Sequence, residues 1–239
     1  MVDGNLLRET DNGILMAHPL LFVGDPHGRT REIAETIREH HPDAAGVVFL
    51  GDLELAEPLE AAVEALPEGM HVGWIPGNRE SDRPEFHDRL YGSELAGGCL
   101  HARVIDFGGV RIAGLGGVFR RRVWYPGAEP HYTHRDAFRW QLAREAMPED
   151  DWREGLPLRA HTSIWPEDIE QLQGQRADIL VTHEAPSCHP HGFAVIDELA
   201  QAMGAHTIVH GHHHQRYEAQ LANGLRVLGV DLGGILALG

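Results

Sequence analysis

The chain has 239 residues, 42% of them hydrophobic, which suits one sizeable α/β domain and is short for two. Its formal charge of −16 argues against a protein that coats nucleic acid through a basic surface. It has no lysine, so a phosphate-loop lysine and a Schiff-base lysine are both excluded.

Residues 19–23 (PLLFV) form a short apolar run that stops at Gly24-Asp25 and reads as a buried strand. Residues 30–41 follow with apolar positions at helical spacing. Residues 46–50 (GVVFL) read as a second strand, again ending in Gly-Asp. Residues 58–66 read as a helix stopped by Pro67 and Gly69, and 71–75 as a third strand ending at Pro76-Gly77-Asn78. Strands alternating with helices imply right-handed βαβ units and a mostly parallel sheet.

Residues 103–107 and 110–115 flank Gly108-Gly109 and predict a hairpin. Residues 119–165 break the rhythm. With Arg120-Arg121-Arg122, several tryptophans and a helix expected over 135–147, this stretch reads as an insertion or cap within a single domain spanning 1–239. Regularity returns with a strand over 178–182 ending at His183, a helix over 193–203, and a strand over 207–209 ending at His210-Gly211-His212. Residues 215–221 and 225–230 flank Asn223-Gly224, a strong hairpin signal, and a last strand is expected over 235–238.

Residues 1–21 are acidic and lack the basic region and long apolar stretch of a signal peptide, and no apolar run reaches membrane-spanning length. A cytoplasmic protein without membrane contact is expected. Two cysteines, Cys99 and Cys188, supply neither a disulfide framework nor a CxxC zinc pattern.

Eighteen histidines are far more than usual, and histidine is the commonest metal ligand. Five segments place ligand-type residues after predicted strands: Asp25 and His27, Asp52, Asn78, His183, and His212 with His214. In open α/β sheets ligands bind beyond the carboxyl ends of strands, so all seven residues fall on one rim. Taken as extended backbone, positions i and i+2 face one side, which would aim Asp25/His27 and His212/His214 inward in pairs. A set of Asp, His and Asn without thiolates suits Mn, Fe or Zn.

These motifs resemble the signature of the calcineurin-like metallophosphoesterase superfamily: D-x-H, G-D, G-N-H-[DE], a lone H, then G-H-x-H. The resemblance runs from Gly24 to His214. It implies two mixed β-sheets packed as a sandwich flanked by helices, with the site at the C-terminal ends of strands. It also implies two divalent metal ions. Asp25, His27, Asp52 and His214 would hold one ion; Asp52, Asn78, His183 and His212 would hold the other, with Asp52 bridging. A metal-bridging water would attack phosphorus.

One position departs from the pattern. Arg79 stands where the family carries the histidine thought to protonate the leaving oxygen or contact phosphate. Arginine keeps its proton near neutral pH, yet it can clamp a phosphate. Good leaving groups should therefore be preferred. His189 or His191 could replace the missing acid; His131 and His134 are further candidates. Arg29 joins Arg79 as a substrate contact, and Glu54 and Glu80 are expected to orient histidines. The first motif is similar to that of protein serine/threonine phosphatases and dinucleoside tetraphosphate hydrolases, which keep the histidine lost here. The expected substrate is a small phosphorylated molecule or a phosphoprotein; nucleic acid is not favoured. The rival reading is a metal-binding scaffold or regulatory module of the same fold, with Arg79 as the lesion.

Overall fold

A computed structural model of the chain describes residues 9–10, 13–14, 18–145 and 152–239. Most of the 1–21 stretch, and positions 146–147 of the helix expected over 135–147, lie outside these residues. Strands β1 (Glu9–Thr10) and β2 (Gly13–Ile14) pair as a small antiparallel ribbon. In the first main sheet, β3 (Leu20–Val23), β4 (Gly46–Phe49) and β5 (His71–Trp74) run parallel. Helix α1 (Thr30–His40) connects β3 to β4, and the single turn α2 (Leu59–Ala62) lies between β4 and β5.

After β5 comes α3 (Pro84–Tyr91), which sequence periodicity does not announce. The hairpin of β6 (Arg103–Phe107) and β7 (Val110–Leu115) then starts a second sheet. Helices α4 (Arg135–Glu145) and α5 (Pro166–Gln173) precede β8 (Ile179–Thr182), α6 (Ala194–Met203) and β9 (Thr207–His210). Strand β10 (Tyr217–Gln220) turns back into β11 (Arg226–Gly229). The last strand, β12 (Ile235–Leu238), returns to the first sheet, antiparallel to β3.

The sheet orders are β12-β3-β4-β5 and β10-β11-β9-β8-β7-β6. The single mostly parallel sheet suggested by strand–helix alternation is thus replaced by two mixed sheets, as the family resemblance implied. The parallel ladders form as expected, but the 103–115 hairpin leaves the first sheet and begins another.

Alternation along the strands explains the layering. Leu20, Phe22, Val48 and Ile75 meet Ile112, Val181, Val209 and Leu228 between the sheets. Leu21, Val23, Val47 and Phe49 face the other way, onto Ile33 and Ile37 of α1 and Leu90 of α3. On the far side of the second sheet, Leu180 and Ile208 pack against Leu172 of α5 and Leu199 and Met203 of α6. Strands buried on both faces need near-continuous apolar sequence, which β3, β4, β8 and β9 supply.

The 119–165 stretch builds a small core of its own from Val123, Phe138, Leu142, Leu156, Ala160 and Trp165. The Arg135 guanidinium donates to both oxygens of buried Asp168, at 2.7 and 3.0 Å, tying α4 to α5. Burial opposes the Asp168 charge, but His101 and Arg135 hold its carboxyl below the usual range. Among the described residues no helix is long and apolar enough to cross a membrane.

Candidate metal centre

The five motifs sit just past β3, β4, β5, β8 and β9, so both sheets deliver side chains to one edge of the sandwich. Two hydrogen-bonded links close that edge. The His183 ring donates from Nδ1 to the Leu50 carbonyl at 2.7 Å, joining the second sheet to the first. The backbone N–H of His212 donates to the Asp25 carboxylate at 2.9 Å, joining them again.

The backbone at the site is not extended. Asp25 (φ 41°), His27 (φ 43°), Asp52 (φ 52°), His212 (φ 68°) and His214 (φ 53°) all occupy the left-handed region. The expectation that strand-like i, i+2 alternation aims these pairs inward is therefore corrected: successive tight turns do it. Each such residue costs roughly 1–3 kcal/mol and persists because its surroundings dictate it. Crowding adds a further constraint. Gly51 has φ +100°, and a side-chain carbon there would meet Gly77 N and His183 Nδ1 at 2.6 Å. At Gly77 it would run into Asp52 Oδ1.

Donor atoms converge in two sets. Asp25, His27 and His214 form one, with their ligand atoms within 4.8 Å of one another; Asp52, His183 and His212 form the other. His27 Nε2 and His214 Nε2 approach to 3.2 Å. Asp52 stands between the sets: Oδ2 lies 4.0 Å from His27 Nε2 and Oδ1 lies 3.5 Å from His183 Nε2. Asn78 Oδ1 is 3.4 Å from His183 Nε2 and completes the second set. All seven sequence-predicted ligand residues are thus brought together.

Partners outside the sets fix their orientation. The His27 ring donates from Nδ1 to Glu54 Oε1 at 2.6 Å, as expected of Glu54. Glu80 acts differently from the expectation that it orients a histidine. Its buried carboxylate accepts from the backbone N–H groups of Gly77 (2.6 Å), Leu53 (2.7 Å) and Asp52 (3.2 Å), binding the second and third motif loops together. Burial, with Asp52 nearby, raises the Glu80 pKa to about 7.

Electrostatics are tense. Burial raises the Asp25 pKa against the pull of His183. Burial works against the charged form of His183, yet Asp52 and Asp25 raise its pKa overall. Burial and the neighbouring His183 lower His212 to about 3, which keeps its ring a neutral donor.

Arg79 places its backbone N–H, not its guanidinium, against the site: the N–H donates to Asp52 Oδ1 at 2.8 Å. The guanidinium donates to Asp82 at 2.9 Å and lies 3.6 Å from Glu54. Arg29 donates to the Leu232 carbonyl at 3.2 Å, against the turn that leads into β12. His189 is buried and stacks on His213, with ring centroids 3.9 Å apart. Burial and then His191 lower its pKa. His191 is exposed one ring farther out, at 5.8 Å from His189. His131 and His134 are exposed within the 119–165 stretch.

Two residues without a role in the sequence reading belong to the site. Glu184 accepts from the Phe119 backbone N–H at 3.1 Å and faces His212 Nε2 at 3.9 Å. His213, the middle histidine of the triplet, groups with Glu184 and His212 in a third donor set. Their only sequence signal is adjacency to His183, His212 and His214.

The geometry agrees with the comparisons. The model of the calcineurin-like phosphoesterase family matches residues 18–216. An uncharacterised protein of Haemophilus influenzae is 42% identical over 198 residues, covering 83% of this chain and 84% of that protein. Among solved structures, a Thermus thermophilus protein is 17% identical, with a TM-score of 0.56 and 91% of each chain covered. The phosphopantetheinyl hydrolase of Mycobacterium tuberculosis is 19% identical, with a TM-score of 0.52 and 90% of each chain covered. At these identities the two structures speak for the fold alone. The match of the family model over most of the chain, on this fold and with these converging donors, shows that the chain belongs to the calcineurin-like phosphoesterase family.

Proposed function

We propose that the protein is a dinuclear metal-dependent hydrolase of phosphate esters or anhydrides. The observation that carries this reading is Asp52, whose two carboxylate oxygens each face a different donor set. Asp25, His27, Asp52 and His214 would hold one cation; Asp52, Asn78, His183 and His212 would hold the other. The donors fit such ions. His27 and His183 each commit Nδ1 to Glu54 and Leu50, which leaves Nε2 lone pairs pointing inward. The carboxylate, imidazole and amide donors suit Mn, Fe or Zn. Bound there, a pair of divalent cations supplies Lewis-acid polarisation of phosphoryl oxygen and acidifies water for attack on phosphorus.

The chain's own residues then have distinct tasks. The Arg79 backbone N–H holds one Asp52 oxygen in place. The Arg79 guanidinium, half exposed, swings from Asp82 to clamp the phosphate and stabilise its charge. It gives no proton to the leaving oxygen. His189, whose pKa is lowered, is a poor proton store near neutral pH, and His191 is the more accessible of the two candidate acids. Arg29 could contact substrate only by leaving the Leu232 carbonyl. The substrate we infer is a small phosphorylated molecule with a good leaving group, turned over in the cytoplasm.

The experiment strips the protein with a chelator, restores Mn²⁺, Fe²⁺ or Zn²⁺, and follows p-nitrophenyl phosphate and its bis-ester. Two metal ions per chain and metal-dependent turnover are expected. The pairing of Arg79 with Asp82 and Glu54 favours a second reading, a metal-binding scaffold without catalysis. Full metal loading with no turnover of either ester would establish it.

A further inference from the structure

Eight of the arginines of this acidic chain, Arg31, Arg79, Arg111, Arg135, Arg139, Arg153, Arg216 and Arg226, each meet a carboxylate. A cavity of about 440 Å³ lies in the 119–165 stretch. Its wall carries Arg120, Arg121, Arg122 and Arg159 over an apolar floor that includes Phe119 and Phe138. Arg122 stacks on Phe138, 5.2 Å from the ring centroid. Arg120, Arg121 and Arg159 meet no carboxylate within ion-pair distance among the described residues.

Arg120 is the most constrained of the three. Its Nη2 donates to the hydroxyls of Ser81 (3.3 Å) and Thr162 (3.2 Å), while its Nε is buried without a partner. Burial and then Arg159 lower its pKa. Arg121 lies over the Tyr125 ring at 4.7 Å, which holds its guanidinium face in a defined plane. Buried cations are normally paired, and like charges gathered in one concavity repel unless an anion joins them. Guanidinium groups match phosphate oxygens in bidentate fashion.

The cavity is a close neighbour of the metal centre. Ser81, which accepts from Arg120, itself donates to the Asn78 carbonyl at 3.0 Å. Phe119 donates its backbone N–H to Glu184, which faces His212. Two sides of the cavity are therefore linked by short hydrogen-bonded paths to proposed metal ligands.

We propose that Arg120, Arg121 and Arg159 bind a second phosphate group of the substrate, remote from the one cleaved, so that the substrate class is an organic molecule carrying two phosphates. This rests on the hydrolase reading above. The apolar floor would take the organic body between the two groups.

The test uses the full chain in two states. In the metal-free state, adenosine 3′,5′-bisphosphate is titrated calorimetrically. Saturable binding is expected, weakened about ten-fold by Arg121→Gln or Arg159→Gln, the loss of one charge-assisted contact. Both side chains are exposed, so neither variant should unfold the protein. Arg226→Gln, remote on β11 and paired with Glu218, should change nothing. In the metal-loaded state, the preference in KM for the bisphosphate over p-nitrophenyl phosphate should collapse in the two pocket variants. No binding by metal-free protein, or an equal loss in Arg226→Gln, overturns the pocket. Arginine-dependent binding with an unchanged KM preference means a free anion site and overturns the substrate assignment. Arginine-dependent binding with no turnover of any ester upholds the pocket and fails the hydrolase reading alone.

Discussion

The Glu54 carboxylate accepts a 2.6 Å hydrogen bond from His27 Nδ1 and lies 3.6 Å from the Arg79 guanidinium. One acid thus fixes the tautomer of a proposed metal ligand and touches the residue that marks this chain's departure from its family. Glu54 itself sits at φ 47°, so the contact is held by a strained turn. Replacing it with alanine frees the His27 ring. Metal affinity should fall by about 10–100-fold, the usual effect of removing a group that orients a ligand. Calorimetric titration of the chelated variant with Mn²⁺ checks this; an unchanged affinity would show that Glu54 does not support the ligand.

Glu80 should matter for stability more than its distance from substrate suggests. Glu80→Gln keeps the shape but replaces one of the two acceptor oxygens on which three backbone N–H groups converge with an NH2 donor, leaving buried N–H groups without a partner. The loss should be about 2–3 kcal/mol. For a chain of this size that is a fall in Tm of roughly 4–12 °C. Thermal denaturation of the metal-free protein measures it without interference from bound ions.

Arg79→His restores the residue that the family pattern carries. The wild-type rate should depend steeply on leaving-group pKa, because Arg79 cannot donate a proton. In the variant the dependence should flatten, through a gain on alkyl phosphates of about 10²-fold or more if a general acid is recovered. A series of aryl and alkyl phosphates read by phosphate release decides the matter, and parallel slopes for the two proteins would refute it.

Acid stability should carry the mark of His87 on α3. Burial, and then His161, lower its pKa from 6.5 to about 4. Its ring stacks on Tyr91 at 4.2 Å and meets Trp152 edge-on at 4.7 Å. A base with a depressed folded pKa binds fewer protons when folded, so stability falls as pH drops from about 6.5 to about 4 and levels below that. Urea denaturation across this window should show the slope, and His87→Phe should reduce it.

The sequence by itself determined the family, the succession of β3 to β12 along the chain and the seven ligand-type residues, because each motif is local: an apolar run, a glycine turn and a polar side chain at its end. Hairpins were legible for the same reason, at Gly108-Gly109 and Asn223-Gly224. Helix α3 was not, since only His87 and Leu90 along it are buried and a short helix with so little apolar repeat shows no clear period. Periodicity is also silent about which sheet a strand joins; the 103–115 hairpin opened a second sheet through pairing between distant residues. Only the tertiary structure placed Asp52 between two donor sets, turned Glu80 into an anchor for backbone N–H groups, and gathered Arg159 with Arg120 and Arg121. Those relationships join residues far apart in the chain, and left-handed turns at Asp25, His27, Asp52, His212 and His214 aim the side chains where strand alternation would not. Local sequence encodes which groups are available, while the packing of two sheets decides which of them meet.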